Sequence, residues 1–121
     1  MILAILDDLL FTSKIRTTAK QLGTTVTVAR SAESALAEMR ANRPSLVIFD
    51  LDNPRTDPLR IVAAMKADAG LAAIPTVGFV SHVQVDLINA AREAGVAQVM
   101  ARSAFAEQLP AILNLVKSSS G

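Results

Sequence analysis

Short apolar segments alternate along this chain with longer segments in which apolar residues recur at helical spacing. The short segments contain four or five residues, many of them Val, Ile or Leu. Runs of this length are typical of strands that are buried on both faces of a parallel sheet. The pattern therefore predicts five strands, at Ile2–Leu6, Val26–Ala29, Leu46–Phe49, Thr76–Val80 and Ala97–Ala101.

The segments between these runs predict five helices. Phe11, Ile15, Ala19 and Leu22 form one apolar stripe, and Gly23 follows as a stop signal. Further on, Ser31 and Asp57 are suitable N-caps, Pro58 suits a first helical residue, and Gly95 is a second stop. These signals predict helices over Ala32–Arg40, Leu59–Ala67 and Asp86–Ala94, and a last helix within Ala106–Lys117.

The last helix contains Pro110, which lacks a backbone donor and crowds the carbonyl of Ala106. A proline is harmless as the first residue of a helix, and the residue before a proline avoids the α conformation. The helix can therefore kink at this turn or start late. We expect a late or irregular start, with Pro110 as the first residue of a regular helix that runs to about Lys117 and has Ile112, Leu113 and Val116 available to pack inward.

Five consecutive strand–helix units predict an α/β protein with a parallel sheet, right-handed crossovers and helices on both faces. The 121 residues fit one domain. We place this domain at residues 1–117 and interpret residues 118–121, Ser-Ser-Ser-Gly, as a disordered tail or the start of a linker.

Composition excludes several classes of function. The chain has no cysteine, which excludes disulfides and Cys-ligated metal sites, and its 12 Lys+Arg nearly balance its 11 Asp+Glu. This balance indicates neither direct nucleic-acid binding nor attachment to a membrane. No signal-peptide pattern precedes the first strand, so we expect a cytoplasmic protein.

Aspartates follow two of the predicted strands. Asp7 and Asp8 end strand one, Asp50 ends strand three, and Asp52 and Asp57 come soon after. Ligands of open α/β sheets bind at this edge, and clustered carboxylates require a cation or protons, so Mg²⁺ is the expected ligand. Without metal, repulsion should raise the pKa of at least one carboxylate, and Asp8→Asn should stabilise the protein.

A purely structural reading of some of these aspartates stays open. Aspartate is a common turn former and N-cap, which explains Asp57 and accounts for Asp52 if that residue only shapes a turn. Asp7, Asp8 and Asp50 are harder to explain in this way, because all three fall in a pocket that the fold itself provides.

These residues resemble the receiver domain of bacterial two-component response regulators. The resemblance extends over essentially the whole chain and rests on Asp7-Asp8, on VIFDLDNP at residues 47–54 and on AAREAG at residues 90–95. It implies a three-layer, flavodoxin-like fold with five helices and a five-stranded parallel sheet of order 2-1-3-4-5. It also implies a role in two-component or phosphorelay signal transduction.

The resemblance assigns a role to each acidic residue. Asp50 is expected to accept the phosphoryl group, and Asp7 and Asp8 are expected to hold Mg²⁺ directly or through water. Asp50 and the backbone carbonyl of Asp52 are further metal ligands, and Pro54 shapes the loop that follows. A carboxylate attacks a phosphoryl group only when a cation offsets both charges.

Other positions depart from the family pattern. Val80 stands where the family has a hydroxyl residue at the end of strand four, although Ser81 supplies a hydroxyl one position later. Val99 replaces the aromatic switch residue, and Arg102 replaces the lysine after strand five. Arginine keeps the charge but not the geometry of a lysine.

Two alternatives stay open, the first because of these departures. The domain can be a non-canonical receiver that acts as a phosphorylation-independent interaction module, because signalling needs a two-state element. More remotely, the motif from Phe49 to Pro54 resembles the first motif of haloacid-dehalogenase-type phosphatases, although the acidic pair then lies on the wrong side of it.

The resemblance also implies the partners. A histidine kinase or phosphotransfer protein is expected to dock beside the basic edge formed by Lys14, Arg16 and Lys20, and a homodimer is an option through helix 4, strand 5 and helix 5. We expect no enzymatic turnover beyond self-phosphorylation and autodephosphorylation. His82, the only histidine, is expected to be an ordinary loop residue.

Overall fold

A computed structural model describes residues 1–53, 55–81 and 84–120, with side chains described up to residue 114. Strands and helices alternate along the whole described chain, and all neighbouring strands are parallel. The sheet order is β2-β1-β3-β4-β5, so the predicted fold class and strand order are confirmed. The elements are β1 Ile2–Ile5, α1 Leu9–Leu22, β2 Val26–Ala29, α2 Ala32–Asn42, β3 Leu46–Asp50, α3 Pro58–Ala67, β4 Thr76–Val80, α4 Val85–Ala94, β5 Gln98–Ala101 and α5 Arg102–Ser120.

The sheet separates two hydrophobic cores because successive strand residues point to opposite faces. In β1, Leu3 and Ile5 pack with residues of α2, α3 and α4. Ile2 and Ala4 pack on the opposite face with residues of α1 and α5. The fold therefore has three layers, with α1 and α5 on one side of the sheet and α2, α3 and α4 on the other.

The two edge strands are more exposed than predicted. β1, β3 and β4 are buried along their whole length, whereas three of the four β2 residues are only half-buried and both end residues of β5 are exposed. An edge strand has a neighbour on one side only, and this difference in sheet position is not encoded in an apolar run.

Most helix boundaries follow the predicted signals. Gly23 caps α1 in the left-handed conformation, and the Ser31 hydroxyl accepts a hydrogen bond from the Ser34 N–H. Pro58 is the first residue of α3, as predicted. Asp57 occupies the predicted N-cap position, with φ of 48°, but its side chain makes no capping hydrogen bond.

The predicted late start of the last helix is wrong. α5 begins at Arg102, contains Pro110 in its interior and ends at Ser120. Its buried residues Phe105, Leu109, Ile112 and Leu113 keep helical spacing across the proline. Their packing against the sheet outweighs the lost hydrogen bond, which costs about 3 kcal/mol. Whether residues 118–121 act as a tail or a linker stays a prediction.

None of the helices in the described part of the chain is long and apolar enough to span a membrane.

Candidate functional site

The candidate site lies at the carboxyl ends of β1 and β3, which are neighbours in the sheet. Asp7 and Asp8 follow β1, and Asp50 is the last residue of β3. Leu46 and Ile48 of β3 face α1 and α5, so alternation along the strand directs Asp50 to the same side. The strand order therefore places Asp7, Asp8 and Asp50 at the same edge of the sheet.

Asp50 is a buried carboxylate, with only 8% of its surface exposed. One oxygen accepts a hydrogen bond from the Asp52 N–H at 3.3 Å. Burial raises the pKa of the Asp50 carboxyl above its ordinary value of 3.8, and the charges of Asp52 and Asp7 act in the same direction. The Asp52 N–H and the Arg102 charge oppose this rise only in part. Ionised Asp50 is thus an under-compensated negative charge.

Both carboxylate oxygens of Asp8 are engaged within the protein. Asp8 is the N-cap of α1, where Oδ1 accepts the Phe11 N–H at 3.0 Å. Oδ2 accepts a hydrogen bond from Nη2 of Arg102 at 2.6 Å. The bond from Arg102, and then that from the Phe11 N–H, hold the pKa of Asp8 below 3.8. Asp8 therefore lies in a much more favourable environment for a charge than Asp50.

Arg102, the first residue of α5, also packs against an aromatic ring. Its guanidinium carbon lies 4.4 Å from the ring centre of Phe11, which is cation–π distance. The Phe11 ring contacts Phe79 at 5.0 Å and Phe105 at 5.8 Å, between ring centres. Arg102 is therefore held between a carboxylate and a three-ring cluster, and only 34% of its side chain is exposed.

Asp7 has different partners. Its Oδ1 accepts a hydrogen bond from Nδ2 of Asn53 at 2.5 Å, and its Oδ2 lies 3.4 Å from Nη1 of Arg55. Asn53 is buried, whereas 83% of the Arg55 side chain is exposed. The ion pair between Asp7 and Arg55 is therefore a loose surface contact beside a well-fixed hydrogen bond.

The Asp52 side chain connects the loop after β3 to the start of α4. Its carboxylate accepts hydrogen bonds from the backbone N–H of Ser81 and from Nε2 of Gln84, the latter at 3.0 Å. Gln84 is the N-cap residue of α4. The predicted role of Asp52, through its backbone carbonyl, stays a prediction.

Two other departures from the family pattern belong to the core on one face of the sheet. Val80 is buried in the core beneath α2, α3 and α4, and Val99 is half-buried against the same core. Ser81 is exposed and contacts Asp52 through its backbone N–H. A role for the Ser81 hydroxyl stays a prediction. Pro54 and His82 lie outside the described residues.

The oxygen donors at this edge of the sheet are of the kind that binds Mg²⁺, although the described side chains are not arranged around a metal position. Among the described residues, no three His, Cys, Asp or Glu side chains are grouped so that they could hold a metal ion. The available donors, however, are the carboxylates of Asp7, Asp8 and Asp50, which are the hard oxygen ligands that Mg²⁺ prefers. The uncompensated charge of buried Asp50 is the feature that a cation would relieve.

Sequence reasoning missed the residues that fix these aspartates. Asn53 and Arg55 bind Asp7, Gln84 binds Asp52, and Phe11 supports Arg102. The sequence singled out Phe11 only as part of an apolar helix stripe and Asn53 only as part of the motif at residues 47–54. The other contacts join segments that are distant in sequence, and such pairs leave no periodic pattern.

Comparison with known proteins identifies the same family as the resemblance. The model of the response regulator receiver domain matches residues 2–114. The phosphorylated cyanobacterial phytochrome response regulator RcpA is 26% identical, with a TM-score of 0.79 over 96% of this chain and 89% of that one. A response regulator from Burkholderia multivorans is also 26% identical, with a TM-score of 0.75 over 99% and 94% of the two chains. CheY4 of Vibrio cholerae, a chemotaxis response regulator, is 19% identical and shares the fold, with a TM-score of 0.82 over 95% and 96%. The chain belongs to the response regulator receiver domain family.

Proposed function

We propose that Asp50 accepts a phosphoryl group in two-component or phosphorelay signalling. The observation that carries this proposal is the environment of Asp50, a buried carboxylate at the carboxyl end of a central strand, flanked by the charges of Asp7 and Asp52. Support also comes from RcpA, a relative that was crystallised in its phosphorylated form.

The reaction is a transfer from a phosphodonor to a carboxylate. A carboxylate oxygen of Asp50 forms a bond to phosphorus while the bond between phosphorus and the donor atom breaks, and the donor leaves with that electron pair. The hydrogen bond from the Asp52 N–H to Oδ1 orients the carboxylate. Arg102 contributes positive charge near Asp50, as the family lysine would.

Mg²⁺ is the proposed cofactor, and the carboxylates of Asp7, Asp8 and Asp50 with the backbone carbonyl of Asp52 are its proposed ligands. When bound, it would offset the negative charges of the acceptor and of the phosphoryl group.

The phosphodonor in the cell is proposed to be a histidine kinase or a phosphotransfer protein that docks at the start of α1. Leu9 and Leu10 follow Asp8 directly and are 67% and 85% exposed, which is unusual for leucine. Lys14 and Arg16 are exposed further along the same helix, as the sequence predicted. An apolar pair beside the acceptor site suits contact with a partner protein.

The proposal is tested by reaction with acetyl phosphate and Mg²⁺, followed by intact-mass analysis. One added phosphoryl group, absent in Asp50→Asn and retained in Asp52→Asn, would support it. Release of the group by hydroxylamine would identify an acyl phosphate and exclude an ester on Ser81. An unmodified wild-type protein would contradict the proposal, and turnover of a phosphate ester would favour the phosphatase alternative.

A phosphorylation-independent interaction module is the second candidate. It is favoured by Val80 and Val99, which contribute to one apolar core where the family pattern has a hydroxyl and an aromatic residue. This candidate predicts the same α4 and β5 backbone resonances with and without phosphodonor. We propose neither enzymatic turnover of an external substrate nor direct nucleic-acid binding, and a homodimer through α4, β5 and α5 and a cytoplasmic location stay predictions.

A further inference from the structure

We infer that Arg102 is a tethered counter-ion that competes with a divalent cation for Asp8 and thereby sets the metal concentration at which the site becomes occupied. This inference rests on the proposed metal site and concerns a residue at which the chain departs from its family. It follows from the contacts of Asp8 and Arg102, and from the contrast between the Asp8–Arg102 and Asp7–Arg55 pairs.

Asp8 has no oxygen that is free of a protein partner. Oδ1 accepts the Phe11 N–H at 3.0 Å, and Oδ2 accepts Nη2 of Arg102 at 2.6 Å. Each oxygen has a second lone pair, so a metal ion can share Asp8 with its present donors, but a metal ion near Oδ2 would lie close to the positive charge of the guanidinium, and the two cations would repel each other. The cap bond holds the backbone of α1, so the contact with Arg102 is the one that can be exchanged for another cation.

Arg102 is fixed in place rather than loosely associated. It is the first residue of α5, its guanidinium lies 4.4 Å from the Phe11 ring centre, and the Phe11 ring contacts Phe79 and Phe105. A planar guanidinium can stack on a ring and bind a carboxylate at the same time, which an ammonium group does less well. Arginine at this position therefore holds Asp8 more firmly than the family lysine would.

The neighbouring pair of Asp7 and Arg55 provides an internal comparison. Its atoms are 3.4 Å apart, and 83% of the Arg55 side chain is exposed, against 34% for Arg102. Exposed ion pairs of this kind contribute little and exchange readily with ions in solution. Of the two cations beside the acidic pair, Arg102 is the one that should oppose metal binding.

The test measures Mg²⁺ affinity by calorimetry, without phosphodonor, in wild type, Arg102→Lys, Arg102→Gln and Arg55→Gln. Removal of an ion pair worth about 1 kcal/mol tightens a competing equilibrium about fivefold. We expect Mg²⁺ to bind Arg102→Gln about fivefold or more tightly than wild type. The gain in affinity should be smaller for Arg102→Lys and less than twofold for Arg55→Gln. In wild type, the Arg102 Nε–H resonance should shift as Mg²⁺ is added.

Equal effects of Arg102→Gln and Arg55→Gln would show a general charge effect and overturn the inference, as would weaker binding in Arg102→Lys. If circular dichroism shows that Arg102→Gln does not fold, the Mg²⁺ affinities of Arg102→Lys and wild type are compared instead, and they decide whether the inference holds. Absence of Mg²⁺ binding in all four proteins would overturn the metal assignment together with the inference. If the four proteins bind Mg²⁺ with the expected affinities but Asp50 of the wild type stays unphosphorylated, only the proposed function is overturned.

Discussion

Leu51 packs against Gly78 so closely that a Cβ atom on Gly78 would lie 2.6 Å from Cδ1 of Leu51. Leu51 follows Asp50, is 3% exposed, and donates its N–H to the Phe79 carbonyl at 3.0 Å. Glycine in β4 therefore makes room for the first residue of the loop that carries Asp52. The loop after Asp50 is therefore positioned in part by the absence of a side chain at Gly78.

Gly78→Ala should therefore destabilise the protein. The new methyl group must displace Leu51 in a fully packed region, and overpacking of this kind costs about 1–3 kcal/mol. Urea denaturation measures the free energy of unfolding. Gly70→Ala is the control, because its Cβ would meet only the Asp68 side chain, at 3.3 Å. Equal stability of Gly78→Ala and wild type would show that Leu51 moves without cost.

Asp50→Asn should stabilise the metal-free protein at neutral pH. Burial and the charges of Asp52 and Asp7 oppose ionisation of Asp50, and asparagine removes that penalty while keeping the shape. The expected gain is about 0.5–2 kcal/mol. Asp86→Asn, which neutralises an exposed aspartate in the first turn of α4, controls for the change in net charge. A destabilised Asp50→Asn at neutral pH would mean that the charge of Asp50 is compensated.

The pH dependence of this gain has a defined sign. Because the pKa of Asp50 is raised, the folded protein keeps a proton that the unfolded chain loses near pH 3.8. The free energy of unfolding should fall as the pH rises from 3.8 through the raised value. Asp50→Asn should thus be more stable than wild type by its full amount above this pH range, and the two proteins should be equally stable below it. Urea denaturation at several acidic pH values measures this difference in the free energy of unfolding.

Asp8→Asn should destabilise the protein, although the sequence alone predicted stabilisation. Asparagine caps a helix as well as aspartate does, so the substitution removes mainly the ion pair with Arg102, worth about 1 kcal/mol. The pKa of Asp8 is lowered, so its contribution is present above pH 3.8 and is lost as the pH falls through the lowered value. In the Arg102→Gln background, Asp8→Asn should have little effect. If Asp8→Asn destabilises the Arg102→Gln protein as much as it destabilises the wild type, the loss of stability comes from the helix cap and not from the ion pair.

The sequence and the structure predict opposite effects of Asp8→Asn on stability, and this difference shows what the sequence could not predict. The pKa of Asp50 is raised first by its burial, which the sequence did not predict, and repulsion from Asp52 and Asp7 adds to that effect. The sequence did not reveal which aspartate is uncompensated, because Asp8 and its partner Arg102 are 94 positions apart. Which carboxylate receives the guanidinium depends on the packing of α5 against α1, and no local pattern reports that packing.

The fold could be predicted from the sequence more fully than the site, because the signals for strands and helices are local. The strand at Val26–Ala29, the stop at Gly23 and the cap at Ser31 depend on neighbours within a few residues. The failure at the start of α5 has the opposite cause. There the burial of Phe105, Leu109 and Leu113 overrules the preference of the local sequence at Pro110.

Pro110→Ala should stabilise the protein. Pro110 is exposed in the interior of α5, so alanine restores a hydrogen bond to the Ala106 carbonyl without disturbing the core. The helical gain of about 3 kcal/mol is reduced by about 0.4–1 kcal/mol, because alanine leaves the unfolded chain more freedom. We expect a net increase near 2 kcal/mol in the free energy of unfolding by urea. Gln108→Ala, at an exposed site in the same helix, should change it by less than about 0.5 kcal/mol. A loss of stability in Pro110→Ala, with Gln108→Ala neutral, would mean that the proline shapes α5 in a way that its packing requires.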